Sequence, residues 1–255
     1  MATGVPVVNH AEPVMGTVVS FAVVPGAQSG RAVSGAIEAA CAFLHRADAI
    51  FSTWDAQSPV SRLRRGAARL SEMPPEVAEV LDLCDYARRV SAGWFDPWAM
   101  PAGVDPTGLV KGWAVERAMA VLREAGTEAA MVNGGGDIAV FGAPAPGHAW
   151  RVGIRHPWRA DALAAILEVS AAVATSGSYE RGPHLIDPFT GQPAGRTVSA
   201  TITGPSLAVA DALATAMAAG GDEVFGIVAG LDGYAGYLIR PDGSEAHTSH
   251  ISFVS

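Results

Sequence analysis

The amino-acid sequence predicts an α+β fold, a single domain over residues 1–255 with helices packed on a mixed or antiparallel sheet. Three observations carry that expectation. Segments with apolar residues at three- and four-residue spacing come first, short β-branched runs follow, and both kinds return near the end. That segregation favours α+β over a doubly wound parallel sheet, which needs regular alternation. The chain holds 29 glycines and 17 prolines, well above the roughly 12% these types make up on average, without a strict period, which marks many tight turns. Finally, 49% hydrophobic side chains in 255 residues suffice for a sizeable core.

Each element has its own signal. Residues 17–24 are β-branched and apolar and stop at Pro25-Gly26, a strand. Residues 31–51 place Ile37, Phe43, Leu44 and Ile50 at helical spacing. Residues 52–70 are polar and read as irregular. A helix over 75–91 has proline in its first turn and Gly93 beyond its end. A loop rich in Pro, Gly and Asp leads into a helix over 109–125 closed by Gly126. Strands are expected at 130–133, 137–141, 150–154, 165–170 and 172–175, and then a long loop over 176–195, a length that tends to be functional. A strand over 197–203, an alanine-rich helix over 206–219, a short helix over 222–230 and strands at 234–240 and 251–255 complete the reading.

Composition excludes several functions. The 17 basic and 25 acidic residues give a net charge of −8, against the sign that nucleic acid or an anionic membrane attracts. Cys41 and Cys84 sit in helical stretches, too few and too far apart for a disulfide framework or a thiolate cluster, so both are expected as buried free thiols. No stretch approaches the ~18 apolar residues of a membrane span, and the N-terminal residues carry neither a basic nor an apolar leader pattern. The chain as written is expected to be cytoplasmic.

Four stretches carry chemistry-bearing residues. Asn133-Gly134-Gly135-Gly136-Asp137, between two strands, exposes backbone N–H groups beside a ligand or makes a plain hairpin turn. It is no P-loop, since no Gly-Lys-Ser/Thr follows. Phe95-Asp96-Pro97, then Asp105 to Gly112, run a loop into a helix start, where free N–H donors favour an anion. Lys111 in the first turn would oppose the dipole unless something anionic compensates, and Asp105 reads equally as a cap. The loop from Thr175-Ser176-Gly177 to His184-Leu185-Ile186-Asp187-Pro188 offers His184 as a general base, while Ser176 lacks a nucleophile elbow. Asp211 and Thr215, four apart on one helix face, present a carboxylate and a hydroxyl that suit a hard cation such as Mg2+.

Taken in order, Met15-Gly16-Thr17, Phe51 to Asp55 with Ser61-Arg62-Leu63, Phe95-Asp96-Pro97, Asp105 to Gly112, Asn133 to Asp137, Thr175 to Gly177, the run from His184 to Pro193 and Ala210 to Thr215 resemble the FAD:protein FMN transferases, the ApbE-type flavin transferases. The resemblance extends from about Met15 to about Gly221. The run from His184 and the Ala-Asp-Ala-Leu-Ala-Thr helix are its most specific pieces.

That resemblance implies an enzyme that takes FAD and Mg2+, attaches FMN to a threonine or serine hydroxyl of an acceptor flavoprotein through a phosphoester, and releases AMP. Asp211 and Thr215 match the side-chain metal ligands and Gly108 the backbone carbonyl ligand. His184 matches the base at the acceptor hydroxyl. Met15, Trp54, Trp94, Phe95, Asp96, Asp105, Lys111 and Ile186 match flavin-binding positions, with Gly134, Gly135 and Asp137 on the pocket floor. Two alternatives use the same residues: an FAD pyrophosphatase giving FMN and AMP, and a non-catalytic FAD-binding protein. This chain departs from the family pattern at Arg64, where relatives often carry asparagine, and as written it is expected to lack the export signal and anchoring cysteine of many relatives.

Overall fold

A computed structural model describes residues 7–177 and 185–254. Among these residues, ten strands and six α-helices are arranged in three layers. The strands are β1 (Val8–Val14), β2 (Thr17–Val24), β3 (Ala129–Gly134), β4 (Asp137–Phe141), β5 (Trp150–Arg155), β6 (Leu163–Val169), β7 (Ala172–Gly177), β8 (Ser199–Gly204), β9 (Ala235–Ile239) and β10 (Glu245–His247). The helices are α1 (Gly30–Phe51), α2 (Pro59–Arg64), α3 (Pro75–Val90), α4 (Thr107–Glu124), α5 (Leu207–Gly220) and α6 (Asp222–Ala229).

Eight strands form one sheet in the order β1-β2-β3-β4-β7-β8-β9-β10, and β5 and β6 make a separate hairpin. Every pairing between these strands is antiparallel. The period of two sends alternate residues to two cores. Ala130, Val132, Ala139, Ala174, Ala200, Ile202 and Leu238 face the helices. Ala129, Ile138, Val140, Val173, Tyr237 and Ile239 face the β5–β6 hairpin, which covers them with Trp150, Val152, Ile154 and Leu167.

On the helical side α1 packs on α4, and α4 packs on α5, which lies directly over β7 and β8. α5 is buried almost all round, with only Thr215 half-exposed. Its alanine-rich sequence follows from that central place, since a helix hydrophobic on every face has neighbours on every face. Ser206 caps it by accepting from Val209 N–H.

Three expectations need correction. Residues 52–70 are not wholly irregular: α2 forms there, with Ser58 accepting from Ser61 N–H and Pro59 in the first turn. Six residues with two arginines are too short and polar for a helical period to stand out. The strand expected at 251–255 reduces to one bridge, Leu167 to Phe253, while Ile251 covers the second core. β1 and β10 went unread because they are the two edges of the sheet, largely exposed, with Pro13 and Glu12 in one and Glu245 in the other. Polar residues and proline protect edges from further pairing and also erase the alternation that announces a strand. Cys41 and Cys84 are buried and free, as expected.

Candidate active site

The site is built where α4 crosses α5. Gly108 and Gly112, four apart, present a bare strip of α4 to α5. A Cβ on Gly112 would lie 2.5 Å from the Leu207 carbonyl and 2.8 Å from Asp211 Cβ; one on Gly108 would lie 3.4 Å from Thr215 Oγ1. Asp211 and Thr215, also four apart, are therefore the side chains that meet that strip. Asp211 Oδ2 accepts from Gly112 N–H at 2.9 Å, and Ser176 Oγ from β7 lies 3.3 Å from Thr215 Oγ1. A carboxylate, two hydroxyls and the Gly108 backbone thus converge from three elements.

Asp137 enters from β4. The β3–β4 turn has two residues, Gly135 and Gly136, both at positive φ, and Gly134 pairs with Asp137 across it. This is the primed hairpin geometry that glycine favours. It leaves Asp137 fully buried on the helical side, with Oδ2 2.6 Å from Lys111 Nζ. Burial pushes the Asp137 carboxyl up, against the pull of Lys111. Burial, and then the Asp137 charge, push Asp211 well above the usual carboxylate range. Two buried carboxyls face one ammonium, an arrangement that favours added positive charge.

Two cavities adjoin this cluster and share Thr107 and Lys111 in their walls. The first, about 240 Å3, is lined by Trp94, Phe95, Asp96, Asp105, Gly108, Ile186, Asp211 and Thr215, among others. The second, about 500 Å3, is lined by Met15, Gly16, the end of α1 and Ser52 to Trp54. Trp54 is 97% exposed at its rim, an unusual position for so large an apolar ring. Trp94 is buried, and its Nε1 has no hydrogen-bond partner among the described residues. Buried indole N–H groups normally find one.

Most of the residues anticipated from the sequence come together here. Met15, Trp54, Trp94, Phe95, Asp96, Asp105, Gly108, Lys111, Ile186, Asp211 and Thr215 all line one cavity or the other. Several have local duties as well. Asp96 Oδ1 accepts from Trp98 and Ala99 N–H while Oδ2 meets Arg88 Nε at 2.8 Å. Asp105 Oδ1 accepts from Thr107 N–H and Oγ1, and Oδ2 lies 3.4 Å from the Arg64 guanidinium. Gly134 and Gly135 line neither cavity: a Cβ on Gly134 would strike Val115 and one on Gly135 would strike Thr17, so both let neighbours approach closely. Lys111 is not in the first turn, because α4 starts at Thr107, and Asp137 supplies the compensating charge. Asp187 builds the loop after 184, accepting from Phe189 and Thr190 N–H, with Ile186 bridged to Pro193. His184 lies outside the described residues. Sequence reasoning missed the role of Gly112, although its spacing from Gly108 repeats that of Asp211 and Thr215, and it missed the Arg64–Asp105 contact, which joins distant parts of the chain.

A family model described as the ApbE family matches residues 15–103 and 99–237 of the chain. The FAD:protein FMN transferase of Rhodobacter capsulatus is 35% identical over 151 residues, covering 55% of this chain and 29% of that protein. The FAD:protein FMN transferase of Vibrio cholerae is 37% identical over 131 residues, 47% of this chain and 39% of that protein. The matched stretch thus spans less than half of either relative. The solved structure of the flavin transferase ApbE from Vibrio cholerae superposes with a TM-score of 0.81 at 24% identity, over 96% of this chain and 98% of that one. That likeness is one of fold.

Proposed function

This chain belongs to the ApbE family, and from that premise we propose that it transfers the FMN half of FAD to a threonine or serine hydroxyl of an acceptor protein, with AMP leaving. The observation that carries the proposal is the α4–α5 crossing, which gathers oxygen donors beside the half-buried Lys111 ammonium between two cavities. Two adjoining cavities suit a ligand of two ring systems joined by an anionic linker. The names of the curated relatives identify FAD as such a ligand for those proteins.

The donor set fits Mg2+. It is made of oxygens, as a small hard cation requires, and Gly108 brings its backbone beside Thr215, where an added Cβ would crowd Phe95 at 3.2 Å. Asp211, Thr215 and the Gly108 carbonyl would hold the ion. When bound, it would neutralise charge on the pyrophosphate oxygens. Lys111 holds positive charge in the wall common to both cavities, and Asp137 orients its ammonium. Trp54 and Met15 offer a ring face and a thioether to a flat ring at the second cavity. The Trp94 indole N–H is a spare donor at the first. His184 is the proposed base that takes the acceptor proton, a task for neutral imidazole.

The test incubates the chain with FAD, Mg2+ and a candidate acceptor protein. Mass spectrometry is expected to find the acceptor heavier by one FMN and AMP formed in equal amount. Rapid FMN release that ignores the acceptor would overturn the transferase reading in favour of hydrolysis. FAD binding without AMP would leave a carrier.

A further inference from the structure

β1 and α1 bring together four side chains able to ligate a metal, none of which lines either cavity. His10 and Glu12 are two apart on β1, on the face that turns toward the helices with Val14. Cys41 and His45 are four apart on α1, one turn above the other. Glu12 is their hub. Its Oε2 is 3.1 Å from His10 Nε2 and its Oε1 is 2.6 Å from His45 Nε2. The donor atoms of His10, Glu12 and Cys41 all lie within 4.8 Å of one another.

We propose that this cluster is a binding site for a zinc-class divalent cation, held by Cys41 Sγ, the Nε2 atoms of His10 and His45, and one Glu12 carboxylate oxygen. One thiolate, two imidazoles and one carboxylate form a borderline-soft donor set that selects Zn2+ and not Mg2+. Tetrahedral zinc with bonds of about 2.0–2.3 Å sets its donor atoms about 3.3–3.8 Å apart. Binding would draw the His10, Glu12 and Cys41 donors, already within 4.8 Å of one another, to that spacing and swing His45 in from its contact with Glu12 as the fourth ligand. His10 and His45 have the freedom for these movements, their side chains being 40% and 53% exposed. Binding exchanges the ion for the thiol proton, which leaves to solvent. With four protein ligands the coordination is filled, so the ion is structural.

Its place in the fold gives it a consequence. β1 is an edge strand, held by the sheet on one side alone. An ion shared with α1 would fasten it to the helical layer. Beyond Glu12, β1 leads to the Met15 turn, and beyond His45, α1 leads to Ala47, Asp48 and Phe51, all in the wall of the second cavity. The ion would hold those two walls in register.

The test uses the full chain stripped of metal, with excess Mg2+ present, and titrates Co2+ as an optical probe. One equivalent should give a thiolate-to-cobalt charge-transfer band with tetrahedral d–d absorption, and Zn2+ should displace it. Cys41→Ser should abolish the charge-transfer band, while Cys84→Ser leaves it. His45→Ala, on a side chain 53% exposed, should weaken Co2+ at least about tenfold, the loss that even an outer-shell partner can cause. Zn2+ should raise the Tm of the parent chain and not of that variant. Absence of the band, its survival in Cys41→Ser, or equal Co2+ affinity in His45→Ala would overturn the site. Should Cys41→Ser fail to fold, the His45→Ala titration decides. The outcome is independent of the flavin reaction, since no flavin is present.

Discussion

Met15 adopts φ of 55° and Gly16 φ of 68° in the two-residue turn that pairs Val14 with Thr17. Left-handed backbone suits Gly16, but it costs a residue with a Cβ about 1–2 kcal/mol, and hairpins of this kind prefer asparagine ahead of the glycine. A strained residue whose side chain lines a cavity is one whose chemistry outweighs its conformation. Met15→Asn is therefore expected to stabilise the chain by about 1 kcal/mol, raising Tm by about 2–4 °C. FAD affinity should fall about two- to tenfold with the loss of a sulfur–ring contact. A thermal melt and an FAD titration measure the two effects, and unchanged affinity would remove Met15 from the proposed flavin site. At this scale the sequence was informative about residue type and silent about conformation. Met-Gly-Thr is commonplace, and its positive φ appears only when β1, itself obscured by Pro13 and Glu12, is seen to pair with β2.

α4 and α5 depend on each other at one crossing. Gly112 permits it, since a Cβ there would meet both the Leu207 carbonyl and Asp211 Cβ below 3 Å. Gly112→Ala should force the helices apart, cost about 1–3 kcal/mol by overpacking, and lower AMP formation by displacing Asp211 from its Gly112 N–H contact. Gly226→Ala is the control. That glycine lies in α6 with nothing within 4 Å of an added Cβ, and alanine there should add up to about 1 kcal/mol of stability without touching activity. Denaturant midpoints and AMP release distinguish the two variants, and equal effects would refute the crossing as the organiser of the site. Long helices were legible as elements because their apolar period was. Which faces meet was not, because glycine at 112 looks from sequence like a weak spot in a helix.

The stability of the whole molecule carries the imprint of its buried charges. Burial raises the Asp211 carboxyl well above its ordinary value of 3.8. Below that value the folded and unfolded chains both hold the proton. As pH rises past it the unfolded chain ionises first, so stability falls until the folded carboxyl also releases its proton. Asp211→Asn never ionises. Without divalent metal it should melt higher than the parent at pH 8, by about 2–4 °C for each kcal/mol recovered, with the gap shrinking toward pH 4. It should also lose Mg2+-dependent AMP formation, and Mg2+ should raise the Tm of the parent alone. A gap that ignores pH, or retained activity, would contradict the assignment.

The sequence by itself determined the α+β class, the long helices and most strands. Their apolar periods are local, and packing only has to honour them. Ordered motifs also pointed to Asp211, Thr215, Gly108 and the aromatic positions, all of which line the two cavities. Tertiary structure alone decided what distant residues do to each other. It set Asp137 against Lys111, bared Gly112 to α5, placed Arg64 on Asp105, gathered His10, Glu12 and Cys41, and set His45 on Glu12. Two cysteines are too few for a thiolate cluster, and both are buried and free. The proposed cation site needs only one of them, because the packing of β1 on α1 brings nitrogen and oxygen donors to Cys41.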